Sequence, residues 1–119
     1  MAVGLVVLIM LVVVEACPAE ATFPGKPGKI VYSGQDGPNG DLEIYTIKPG
    51  GGGKVQLTAN NTNDCEPSYS PSGKKIAYSG EEPGTNGDDE IYTIKPGGGG
   101  RFNVTDNATS DYAPSWGSS

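Results

Sequence analysis

The chain has 119 residues and a formal net charge of −6; its 14 acidic side chains outnumber 8 basic ones, Arg101 is the single arginine, and there is no histidine. The acidic balance, without a cluster of Lys and Arg, argues against nucleic acid as a partner, and the lack of histidine removes the usual general base, the Ser-His and Cys-His pairings and the commonest metal ligand. Two cysteines, Cys17 and Cys65, cannot build a zinc centre or a multi-disulfide framework, while 19 Gly and 10 Pro mark a chain interrupted by frequent turns.

Residues 3–14, VGLVVLIMLVVV, are continuously apolar. Twelve residues fall short of the roughly twenty that a membrane-spanning helix needs, and they suit the apolar region of a secretory signal. Ala19-Glu20-Ala21 then offers an A-x-A cleavage site, with a mature chain from Thr22, although no Lys or Arg precedes the apolar run. Two alternatives stand beside the cleaved signal: a lipoprotein signal with Cys17 acylated, and an uncleaved N-terminal anchor. All three make the chain an exported one, periplasmic or extracellular. Residues 22–28, TFPGKPG, form a spacer that Pro and Gly keep out of regular structure.

Residues 29–34 then read as a short strand, and residues 75–80 repeat it at an offset of 46. The loops that follow, QDGPNGD (35–41) and EEPGTNGD (81–88), differ by one residue. The next block therefore recurs at an offset of 47: DLEIYTIKPGGGG at 41–53 and DDEIYTIKPGGGG at 88–100. A near-identical block at this period marks a stacked repeat. Within 43–48 and 90–95 apolar groups fall on both faces, Ile44 and Thr46 on one and Tyr45 and Ile47 on the other, as in a strand held between two layers. Lys-Pro-Gly ends the strand. Pro is expected at the second position of a type II turn and Gly at the third, where φ must be positive. Return strands are expected at 54–58 and 101–105. The glycine run does not read as a phosphate cradle, because no helix-forming stretch follows it.

Residues 60–70 correspond to 107–117, with Asp64 matched by Asp111, Pro67 by Pro114 and Tyr69 by Trp116. Ser70-Pro71-Ser72-Gly73 suits a type I turn between a strand at 67–70 and the next at 74–79. One unit thus has four strands, 67–70, 74–79, 90–95 and 101–105, in up-and-down order, which is a β-propeller blade. The expected fold is all-β, two four-stranded antiparallel blades incomplete alone.

The run D-x-E-I-Y-T-I-x-P-G-G, then L-T, then D-x-x-P-S-Y-S-P-S-G-K-K-I-A-Y resembles the repeat of TolB-like β-propellers, of the WD40-like β-propeller repeat family, over nearly all of 29–117. The resemblance implies periplasmic or extracytoplasmic propellers of six or seven blades, mostly binding scaffolds, some of them attached to serine peptidases. Three departures stand out: Pro-Gly-Gly-Gly-Gly in the hairpin where Asn-x-Asp-Gly is usual, Ser72 in place of Asp, and two repeats instead of six or seven. Repeat 1 spans about 29–70 and repeat 2 about 71–117.

Two blades cannot close a ring, and the first repeat lacks an innermost strand while Ala113–Trp116 supplies an extra one. Three chains joined head to tail would make a six-bladed homotrimer. The alternative is a fragment of a larger propeller protein, such as a propeller-bearing serine peptidase, or a degraded propeller.

Candidate chemistry is thin. Asn39/Asp41/Glu43 and Asn86/Asp88/Glu90 space oxygens two apart, as calcium loops do, but lack a twelfth-position Glu and read as turn residues and strand starts. Asp64 and Asp111 read as backbone caps at blade corners. Glu81-Glu82 with Asp88-Asp89-Glu90 read as solvated loop charges and not as a glycosidase pair. Cys65 has no histidine to activate it. The tyrosines and Trp116 read as blade packing, although two-blade lectin chains that bind carbohydrate share the architecture. The Asn-x-Thr triplets at 60, 103 and 107 matter only in a glycosylating host. No catalytic, metal or cofactor residue is assigned. The expected function is a non-enzymatic binding or interaction module whose partner is a protein, a second copy or a carbohydrate.

Overall fold

The computed structural model describes residues 28–82 and 87–118. The expectations for the leader, for Cys17, for all of the spacer but Gly28, and for Asn86 with the tip of its loop lie outside those residues.

Seven strands occur among the described residues: β1 (Ile30–Gly34), β2 (Glu43–Ile47), β3 (Val55–Gln56), β4 (Asp64–Tyr69), β5 (Ile76–Glu81), β6 (Asp89–Ile94) and β7 (Phe102–Asn103). They form two antiparallel sheets, β1-β2-β3 and β4-β5-β6-β7, each a simple meander. The protein is therefore all-β, with one three-stranded and one complete four-stranded propeller blade. Corresponding registers match between the sheets: Tyr32 faces Tyr45 as Tyr78 faces Tyr92, and Ile30 faces Ile47 as Ile76 faces Ile94.

Three details differ from the sequence reading. Strand β4 begins at Asp64 and not at residue 67, because a bulge between Cys65 and Ser68 absorbs Glu66 in a left-handed conformation (φ 56°) and lets pairing continue past it. Strands β3 and β7 are two residues long, shorter than expected. One further backbone bond follows each, Leu57 N–H to Ile44 C=O and Val104 N–H to Ile91 C=O at 2.7 Å, after which the Thr58 and Thr105 hydroxyls take the Ile44 and Ile91 N–H in place of a backbone carbonyl. The hairpin turn is not type II: Gly51 N–H bonds Lys48 C=O at 2.8 Å, and positive φ falls on Gly51 (90°) and its copy Gly98 (94°), one residue later than expected. The 70–73 turn forms as expected, with Gly73 N–H on Ser70 C=O at 2.8 Å.

The blades stack face to face. Ile44 and Leu57 of the first meet Ile76, Tyr78, Tyr92 and Ile94 of the second, with Val31 and Tyr69 at the margin. Strand β2 is buried on both faces, as Ile44, Tyr45 and Thr46 are each almost inaccessible. Each fully buried Ile or Leu contributes roughly 1.5–3 kcal/mol, and these six side chains make up the core of the stack.

Candidate functional site

The densest polar structure lies where the chain leaves one blade for the next, and it occurs twice. In the first copy, Thr58 Oγ1 accepts Ile44 N–H at 2.9 Å and donates to Glu43 Oε2 at 2.6 Å. Asn60 N–H donates to Glu43 Oε1 at 2.8 Å, and Asn60 Nδ2 donates to Asp64 Oδ2 at 2.7 Å. Asn60 Oδ1 in turn accepts the Thr62 N–H and Oγ1, each at 2.8 Å. In the second copy Thr105 Oγ1 accepts Ile91 N–H at 3.0 Å and donates to Glu90, Asn107 N–H reaches Glu90 Oε1 at 3.1 Å, and Asn107 Nδ2 reaches Asp111 Oδ2 at 2.6 Å. Thr109 closes on Asn107 Oδ1 as Thr62 does on Asn60. Backbone bonds of 2.7 Å complete both corners, Asp64 N–H to Leu42 C=O and Asp111 N–H to Asp89 C=O.

Burial of the two glutamates is tolerated here because both oxygens of each are met by donors. Glu43 and Glu90 are almost inaccessible, and each uses one oxygen for a hydroxyl and the other for a backbone N–H. Asp64 is fully buried, and its Oδ1 lacks a partner. Burial pushes its carboxyl up to about 6; the Asn60 and Thr58 hydrogen bonds oppose this, nearby Glu43 reinforces it, and Arg101 works against it. Gly80 lies so close that a Cβ there would run into Asp64 Oδ1. Asp111 is only partly buried.

Each blade also carries a cation over paired tyrosines. Tyr32 and Tyr45 stack at 5.6 Å with Lys54 Nζ 4.6 Å from the Tyr45 ring, while Lys54 also pairs with Asp36. Tyr78 and Tyr92 stack at 5.5 Å with the Arg101 guanidinium 3.8 Å from the Tyr92 ring, and Arg101 Nε donates to Tyr78 Oη at 2.8 Å. Burial pushes the Tyr78 phenol up to about 12.

The calcium-spaced Asn39, Asp41 and Glu43 all line one shallow depression beside the first corner. Glu43 turns to Thr58 and Asn60, while Asn39 Nδ2 donates to Asn61 Oδ1 at 2.7 Å. Asp64 and Asp111 sit at blade corners, but their side chains take asparagine amides and not backbone N–H groups, a correction to the capping expectation. Cys65 Sγ lies 3.5 Å from Ser79 Oγ, half-buried on the sheet. The Asn60 and Asn107 sequons use both the amide and the threonine hydroxyl inside the corner. The depression beside the first corner has a volume of about 180 Å³ and is lined also by Gln56 and Asn61 among others. That is below the roughly 300–1,000 Å³ of a small-molecule site.

The Glu–Thr–Asn–Thr–Asp corner was not singled out from sequence, although a signal was there. Between 54 and 66 only Thr58, Asn60, Thr62 and Asp64 are identical to their counterparts 47 residues on, at Thr105, Asn107, Thr109 and Asp111.

Meander blades stacked through apolar faces, with the chain crossing from the outer strand of one to the inner strand of the next, define a β-propeller, here an incomplete one. Among solved structures the chain is similar to one assigned as TolB from Agrobacterium tumefaciens, with a TM-score of 0.62 and 24% identity over 72% of this chain. The match takes in 29% of that protein, so this chain spans well under half of its length. The likeness shows a shared fold. No protein-family profile matches the chain, and no curated protein matches it.

Proposed function

We propose that the chain is an exported, non-catalytic interaction module of the propeller type, and that it works by self-association. The observation that carries this is the state of the two outward blade faces. Ile76 is fully buried at the interior contact, while its counterpart Ile30 is 50% exposed; Leu57 is 7% exposed, while its counterpart Val104 is 52% exposed. One end of the stack thus offers the face that the other end receives, so a contact between copies is heterologous and can propagate. Three copies would supply six blades, within the range of about four to eight in which propellers close. The apolar stretch at 3–14 supports export. The occupation of Glu43 and Glu90 by internal donors supports a structural role for them.

A second reading, that these blades belong to a longer propeller, is favoured by the 29% share of the TolB structure. Light scattering on the full chain after size separation tests the first reading. The expected mass is three times the 12.2 kDa of one chain, with a β-type circular dichroism spectrum and no saturable turnover of peptide or glycoside substrates. A folded monomer at every concentration would overturn self-association. Saturable turnover would overturn the non-catalytic reading.

A further inference from the structure

Resting on that self-association, we infer that the segment from Asp111 to Trp116 is a donor strand that pairs with β1 of a second copy, in the register in which β4 pairs with β5. Strand β1 bonds β2 along one edge, and among the described residues no strand is hydrogen-bonded to its other edge, although β4 of the next blade packs close by. In the second blade the corresponding edge, that of β5, is covered by β4.

The segment is already shaped for this. Ala113 adopts the left-handed conformation at φ 53°, where its counterpart in the β4 bulge, Glu66, has φ 56°. An alanine avoids that region unless its surroundings impose it, and here the conformation is present without a partner strand. The corner network aims the segment as well, because Asp111 N–H bonds Asp89 as Asp64 N–H bonds Leu42. Ala113 N–H on Glu66 Oε2 at 2.7 Å and Trp116 Nε1 on Ser68 C=O at 3.1 Å hold it beside β4, the place of the next inner strand.

The interior pairs Asp64–Gly80, Ser68–Ala77 and Tyr69–Ile76 then set the contact between copies: Asp111 opposite Gly34, Ser115 opposite Val31 and Trp116 opposite Ile30. The Asp111–Gly34 pair is selective. Glycine at 80 is required by Asp64, whereas the nearest atoms to a Cβ at Gly34 of the isolated chain are those of the Tyr32 and Tyr45 rings, at 3.3 and 3.4 Å, with no carboxylate among them. Gly34→Ala is therefore expected to fold and to fail at pairing.

The test is disulfide trapping in the full chain carrying Cys17→Ser and Cys65→Ser. Chains with Val31→Cys are mixed with chains with Ser115→Cys and oxidised. The off-register control mixes Ile30→Cys with Ser115→Cys, and circular dichroism confirms that each variant is folded. The expected result is several-fold more covalent dimer from the in-register mixture, and loss of that dimer on adding Gly34→Ala to the Val31→Cys chain. An oligomer that traps both mixtures equally, or that ignores Gly34→Ala, would overturn strand donation and leave self-association standing. A folded monomer would overturn both.

Discussion

Thr58 shows how much one hydroxyl carries in this protein. It accepts the Ile44 N–H and donates to the almost inaccessible Glu43 carboxylate, so its loss leaves two buried groups short of a partner. Thr58→Val keeps the shape and removes both bonds. An unsatisfied buried group costs about 1–3 kcal/mol, so a loss of about 2 kcal/mol or more is expected in urea unfolding, against a few tenths for Thr93→Val, which lies on an outward face. Asp64 makes a prediction about pH. Its carboxyl titrates near 6 in the fold and near 3.9 in an unfolded chain. The folded state thus binds the extra proton, and the contribution to stability is complete below about pH 4 and lost as pH rises through about 6. The roughly two-unit gap corresponds to about 3 kcal/mol. Asp64→Asn keeps an oxygen for Asn60 Nδ2 and cannot ionise. Urea midpoints at pH 4.5 and 7.5 should therefore lie closer together in the variant, and at pH 7.5 the variant should be the more stable. Parallel changes in both proteins would refute the assignment.

At the scale of the element, the second blade depends on how closely β4 approaches β5. Gly80 faces Asp64 across that ladder, and any side chain at 80 meets the carboxylate. Gly80→Ala should cost about 1–3 kcal/mol as an overpacked site, and most of that cost should vanish in an Asp64→Ala background, since the two residues touch and their effects cannot be additive. Thermal unfolding of the four members of the cycle measures the coupling. The strand positions themselves were largely legible: β1, β2, β5 and β6 fall within one or two residues of the alternation of Ile, Tyr and Thr. The bulge in β4 was not, because Glu66 has no special backbone preference and takes positive φ only under the pull of pairing on both sides of it.

For the whole molecule, a stack of two blades leaves two apolar faces uncovered, and association should stabilise it by mass action. The melting temperature of the full chain is expected to rise with protein concentration, and Ile30→Asp, at a half-exposed position on one outward face, should abolish that rise without loss of the β-type spectrum. A melting temperature independent of concentration would count against self-association. The same logic explains why small blades carry so elaborate a corner. With few apolar residues per unit, the crossing from β3 to β4 is held by hydrogen bonds to buried carboxylates and not by a larger core.

By itself the sequence determined the repeat, the meander of strands and the two-faced burial of β2, because periodicity and turn residues act over a few neighbours and need no knowledge of distant ones. The identity of Thr58, Asn60, Thr62 and Asp64 with their copies was also in the sequence, but not its meaning. Only the tertiary structure decided that Glu43, 15 to 17 residues away, closes on Thr58 and Asn60, and that Asp64 is sealed against Gly80. Those contacts join residues far apart in sequence. The Glu43 set recurs in the second blade as Glu90 with Thr105 and Asn107, so each blade closes its own corner, while the burial of Asp64 comes with the blade that follows. Desolvation, which raises the Asp64 carboxyl, is a property of that stack and not of any local stretch of chain.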